Sequence, residues 1–266
     1  KPLDLTSWNF FLEKFKNPKH KLKIGLVGKY VELQDSYKSI VESLIHAGAI
    51  NETEIEIISV HSEHLEEGTV AAQLKGLHGL IVAPGFGERG IEGKISAIAY
   101  ARENKLPFFG ICLGMQMAVI EYARNQKGLQ DANSTEMDPN CKHAVIDLME
   151  SQKSILNKGG TMRLGAWDCD LQPNTIVAQA YQSNKISERH RHRYEFNNAY
   201  LAQVFDEQFI IAGTNPETGL VEIIEYKNHP WFVGVQFHPE YKSTVSNPHP
   251  LFLAFVKASL TQKAKE

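Results

Sequence analysis

An apolar run, residues 107–111, ends at Cys112 between two glycines and passes straight into a helix-like run, residues 116–125. Gly110-Ile111-Cys112-Leu113-Gly114 leaves no room for a loop, so strand must turn into helix at the cysteine itself. Small residues on both sides are what such an elbow needs, because its central residue takes a strained backbone and other backbone comes close. A thiol there stands at a helix N-terminus, where the dipole favours the thiolate, the nucleophilic form. The same residues also read as a plain buried core cysteine. Around the elbow, helix and strand signals alternate. Residues 22–27, 54–60, 77–82 and 106–111 read as strands, and residues 91–104 and 113–124 as helices. Tyr37, Ile40, Val41, Leu44 and Ile45 recur at helical spacing, with Asp35 as N-cap and Gly48 as stop. That order predicts an α/β fold with a central, largely parallel sheet flanked by helices and a flavodoxin-like core, whose sites form beyond the carboxyl ends of the strands.

The flanks are less regular. Trp8, Phe11, Leu12 and Phe15 share one face of a first helix that Pro18 ends. Beyond Thr161 the pattern turns strand-rich and more polar. Residues 162–171, 175–180, 209–213 and 221–226 suggest an additional antiparallel strand region, and residues 251–260 a last helix. Residues 127–140 and 182–188 read as loops.

Two further strand ends carry chemistry. Residues 231–237 form an apolar run that ends in His238-Pro239-Glu240. A cysteine nucleophile needs a base, and an imidazole needs a carboxylate to fix its tautomer and orientation. Ala83-Pro84-Gly85-Phe86-Gly87 follows the strand at 77–82, and a glycine loop there can aim backbone N–H groups at an oxyanion. Each motif alone is also an ordinary turn. Three strand ends that each deliver one catalytic part make a constellation. In Arg189-His190-Arg191-His192-Arg193 the alternation fits a strand with two chemically different faces better than a metal site or a nucleic-acid patch.

Val27-Gly28-Lys29-Tyr30-Val31-Glu32-Leu33, Ala132-Asn133-Ser134-Thr135-Glu136, Gly159-Gly160-Thr161-Met162-Arg163-Leu164-Gly165 and Glu188 to Glu195 resemble the C-terminal glutaminase domain of CTP synthases, within the class I glutamine amidotransferases. The resemblance runs from about residue 22 to 260. It implies Cys112, His238 and Glu240 as catalytic triad, with the Gly85 and Leu113 N–H groups as oxyanion hole. It also implies a glutamine site drawn from Gly85, Leu113, Gly114, Met115, Gln116, Glu136, Arg193 and Tyr194, with Arg193 on the α-carboxylate and Glu136 on the α-ammonium. No metal and no cofactor are implied in this domain. Residues 1–20 would be a linker helix from an N-terminal amidoligase domain outside this chain, 21–262 the glutaminase domain and 263–266 a tail. That amidoligase would use ATP and Mg to aminate UTP, with GTP as allosteric activator through Lys94, Arg89 and Gly93. The full-length enzyme would be a cytoplasmic homotetramer or filament. One departure stands out: the family's oxyanion loop reads Pro-Gly-Gly-Phe-Gly, and here Pro84, with no N–H and a fixed φ, takes a glycine's place.

A net charge of −3 makes no case for nucleic acid or an anionic membrane. Three cysteines, without zinc spacing, leave Cys141 and Cys169 as bystanders. The start, Lys1-Pro2-Leu3-Asp4, is not a signal peptide, and no apolar run reaches membrane-spanning length. Three rival readings share the fold: a glutaminase for another acceptor, a cysteine peptidase or γ-glutamyl hydrolase, and a non-catalytic regulatory domain.

Overall fold

The computed structural model describes residues 4–33, 35–65, 68–148 and 162–265. Lys1, Pro2, Leu3, Gly159, Gly160 and Thr161, on which parts of the sequence reading fall, lie outside the described residues. After α1 (Thr6–Lys16) come β1 (His20–Gly28), α2 (Lys38–Ile50), β2 (Thr53–His61), α3 (Val70–Leu74), β3 (Gly79–Val82), α4 (Ile91–Glu103), β4 (Phe108–Ile111) and α5 (Leu113–Asn125). The strands of this half lie parallel in the order β2-β1-β3-β4. The second half adds β5 (Ala132–Ser134), β6 (His143–Leu148), β7 (Arg163–Leu171), β8 (Lys185–His192), β9 (Tyr194–Phe196), β10 (Phe209–Thr214), β11 (Val221–Tyr226) and β12 (Phe232–Val235). β12 returns to pair parallel with β4, and β11, β10, β7 and β8 continue the sheet antiparallel to nine strands. β5, β6 and β9 form a separate three-stranded sheet.

Every residue of β3, β4 and β12 is buried, as expected of strands covered on both faces. Alternate side chains feed two cores. Phe108 enters the one under α4 and α5 and packs on Phe232 with ring centroids 4.4 Å apart. Phe109 enters the other, beneath α2 and the last helix, Pro250–Lys263, 5.3 Å from Phe252. Each buried phenylalanine contributes about 1.5–3 kcal/mol of transfer free energy.

Several local expectations are corrected. Residues 175–180 are not a strand: Thr175 caps a helix, Ile176–Tyr181, its hydroxyl accepting from Ala178 N–H at 3.2 Å. Glu225 accepts the next two free N–H groups, those of Ile176 and Val177, at 3.1 and 2.8 Å. Capping thus overrides the β-propensity of Thr-Ile-Val. Residues 182–188 are not all loop, because β8 starts at Lys185 and buries Glu188, His190 and His192 on alternate positions. The inward face is polar, so an apolar period of two is invisible there. Residues 127–140 include β5. Asp35 is not the N-cap of α2, whose cap residue is Tyr37, and the helix runs past Gly48 to Ile50.

Candidate active site

Cys112 takes φ 52° and ψ −104°, a left-handed backbone rare outside glycine. What holds it there is close packing. A Cβ on Gly114 would lie 2.2 Å from the Val82 carbonyl oxygen, and one on Gly110 would lie 2.8 Å from Gly114 backbone, so α5 can start hard against β3 and β4 only with glycine at both sites. The Cys112 N–H donates to Val235 O at 2.7 Å, which ties the elbow to β12. Three residues past Val235 the chain delivers His238, whose own N–H is held by Arg189 O at 2.8 Å. His238 Nδ1 and Glu240 Oε1 are 2.7 Å apart and both side chains are buried. With Nδ1 engaged by Glu240, the buried Nε2 is the nitrogen left to exchange a proton with the Cys112 side chain, which hydrogen-bonds the imidazole. Burial alone would disfavour the imidazolium. The negative charge of Cys112 and a hydrogen bond to its side chain, together with the Glu240 carboxylate, outweigh it and raise the imidazole to about 11, so the ring is held as the imidazolium.

Cys112 and His238 open into a cavity of about 580 Å³, also lined by Gly85, Gln116, Glu136, Arg193 and Tyr194. Glu136 and Arg193 bear on Tyr194 with opposite sign: burial raises its phenol, Glu136 raises it further and Arg193 lowers it. A carboxylate and a guanidinium so placed suit the two charged ends of an α-amino acid. Glu136 Oε1 also accepts the Gly87 N–H at 2.9 Å. Gln116 spends its amide N–H groups on protein, on Tyr194 O at 2.9 Å and Gln236 Oε1 at 3.1 Å. Leu113, as the first residue of α5, presents a backbone N–H with no acceptor one turn back. The Gly114 and Met115 side positions face the packed interior rather than the cavity. Pro84 lines the cavity beside Gly85.

Sequence reasoning passed over Gln236. Fully buried, it donates through Nε2 to Cys112 Sγ at 3.7 Å. A glutamine inside an apolar strand two residues before the base is the signal that marks it. The Arg/His run resolves into two faces. Arg189 and Arg191 are exposed, Arg191 also lining the cavity, while His190 and His192 are buried, 2.7 Å from one another, beside Arg163, Glu195 and Glu222. Among the described residues no cluster of His, Cys, Asp and Glu is built to hold a metal ion, and no helix is long and apolar enough to cross a membrane.

Comparison with known proteins shows the family and the fold. The family described as glutamine amidotransferase class-I matches residues 32–258. A CTP synthase of Flavobacterium psychrophilum is 63% identical over 262 residues, 98% of this chain and 49% of the relative. A CTP synthase of Caldanaerobacter subterraneus is 55% identical over 260 residues, again 98% of this chain and 48% of the relative. The chain therefore spans about half the length of the curated relatives it matches. Among solved structures, the glutaminase domain of Trypanosoma brucei CTPS with bound acivicin superposes with a TM-score of 0.84 at 38% identity, covering 90% of this chain and 94% of that one. PurLQS from Thermotoga maritima, at 15% identity, TM-score 0.53 and coverage of 91% and 98%, shares the fold.

Proposed function

This chain belongs to the class-I glutamine amidotransferases, and on that premise we propose that it is the glutaminase half of a CTP synthase. The observation that carries the reading is the juxtaposition of a left-handed Cys112 with His238, Glu240 and a pocket flanked by Glu136 and Arg193. Glutamine binds with its α-carboxylate toward Arg193 and its α-ammonium toward Glu136. The Cys112 thiolate attacks the side-chain amide carbon, and the Gly85 and Leu113 N–H groups receive the oxyanion. The His238 imidazolium gives its proton to the departing ammonia, then as a neutral base activates water to hydrolyse the γ-glutamyl thioester. Glu240 keeps the ring oriented throughout.

The whole-enzyme part of the proposal rests on the resemblance to CTP synthases. Ammonia passes to an amidoligase domain that uses ATP and Mg to activate the 4-oxygen of UTP, giving CTP, with GTP activating the glutaminase half. The assembly is a cytoplasmic homotetramer or filament. The first test is ammonia release from glutamine by this chain, with Cys112→Ala as control. Turnover that vanishes with the thiol supports the glutaminase. Turnover unaffected by the substitution, or hydrolysis of γ-glutamyl peptides in preference to glutamine, overturns it. Adding the amidoligase partner with UTP and ATP, and reading CTP with and without GTP, tests the rest.

A further inference from the structure

Three charged side chains grip the Ala83–Gly87 loop, and one of them is a cation buried without a carboxylate. Lys94, on the first turn of α4, is 1% exposed, and its Nζ donates to Ala83 O at 3.1 Å. It makes no ion pair with the described residues. Lys29 Nζ donates to Phe86 O at 2.5 Å, and Glu136 accepts the Gly87 N–H at 2.9 Å. With both carbonyls and that N–H engaged, the Gly85 and Phe86 N–H groups are left without an acceptor among the described residues. A Cβ on Gly85 would lie 3.5 Å from the Lys94 ammonium, so the charge sits directly behind the loop.

Burying an ammonium in this way is among the costliest choices a core can make, and methionine would fill the same space without that cost. Burial holds Lys94 down to about 7, and the Lys29 charge pushes the same way, whereas Cys112 pulls it back up. Negative charge at Cys112 therefore favours the charged form of the lysine. We propose that Lys94 is a positioning residue for the thiol chemistry. From inside the core it fixes the Ala83 carbonyl, and with it the loop, and it holds a positive charge that favours negative charge on the Cys112 sulfur and on the substrate oxygen. The substrate part rests on the glutaminase reading; the sulfur part does not.

The test is Lys94→Met, with Lys94→Gln as a second variant that keeps a donor toward Ala83 but no charge. Alkylation of Cys112 by iodoacetamide is followed against pH by mass spectrometry of its peptide, alongside thermal melting and glutamine turnover. In both variants the half-maximal pH for alkylation moves up by about one unit, equivalent to a tenfold change in the thiolate equilibrium. Lys94→Met also melts higher than the parent, and kcat falls about tenfold or more with KM within about threefold. An unmoved alkylation profile in both folded variants overturns the proposal, as does a lower melting temperature for Lys94→Met, the mark of a lysine kept for structure. Alkylation needs no glutamine. Hydrolysis of γ-glutamyl peptides in preference to glutamine overturns the glutaminase reading and leaves this test standing, whereas thiol-dependent ammonia release with unmoved alkylation does the reverse.

Discussion

At the scale of single residues, the site depends on side chains that never meet the substrate. Gln236 is the clearest. Its amide N–H points at the Cys112 sulfur, and its orientation is set by Gln116, which donates into its carbonyl oxygen. A hydrogen bond to a charged acceptor contributes about 1.5–3 kcal/mol, so Gln236→Leu is expected to lower kcat for ammonia release about 10- to 100-fold with little change in KM. A kcat within about threefold of the parent sinks this role. Pro84 shows the opposite economy. Position 84 is not among the loop groups that are held: Lys94, Lys29 and Glu136 hold the Ala83 carbonyl and the Phe86–Gly87 peptide.

At the scale of elements, β7, β8, β9 and β11 are stitched together by a buried charge cluster. Arg163 lies 3.3 Å from Glu195 and 2.6 Å from Glu222, with His190 and His192 beside them. Burial raises Glu195 to about 8 and Glu222 to about 7, against the pull of Arg163. Above the ordinary 4.5 the folded chain thus keeps protons that the unfolded chain has released, and stability from this pair falls as pH rises. Burial holds His190 and His192 near 2 and 3, so below the ordinary 6.5 only the unfolded chain takes up their protons, and stability from them rises with pH. The two trends offset one another between 4.5 and 6.5, and a net loss remains from there to about 8. The melting temperature is expected to fall by a few degrees over that last interval, and less steeply in Glu222→Gln; equal slopes in parent and variant would refute the assignment. The cluster also explains what the sequence concealed. The parallel half and the elbow were legible because β1, β3 and β4 are apolar runs joined by helices. β8 was not, because its buried face is Glu188, His190 and His192, nor was the helix at Ile176–Tyr181, whose start depends on Glu225 from a distant strand. Cys112, His238 and Glu240 lie within short motifs and could be picked out. The loop's lysine tethers act across more than ten residues of separation, and no local pattern announces them; Gln236 reaches Cys112 from further still and is marked only as a polar residue inside an apolar strand.

At the scale of the whole molecule, α1 leaves an apolar face uncovered. Phe11 is buried and meets His46 of α2 edge-on, while Trp8, Phe10 and Phe15 are 47%, 50% and 50% exposed. On the proposed function this face lies toward the amidoligase half. Trp8→Glu with Phe15→Glu is then expected to leave glutamine hydrolysis within about twofold while lowering CTP formed per ammonia released, since a fully buried aromatic contributes about 1.5–3 kcal/mol to an interface. Unchanged coupling in the full-length enzyme would place the partner elsewhere. The order of the sheet has another consequence. β12 is the last strand in sequence, yet it slots between β4 and β11. Without β12 the sheet would be open at the outer edge of β4, the edge that β12 covers. Cys112 gains neither its Val235 acceptor nor its base until residues 232–240 have been made. On the proposed function, a product that ends before residue 232 is expected to release no ammonia, since it lacks both the Val235 acceptor and His238.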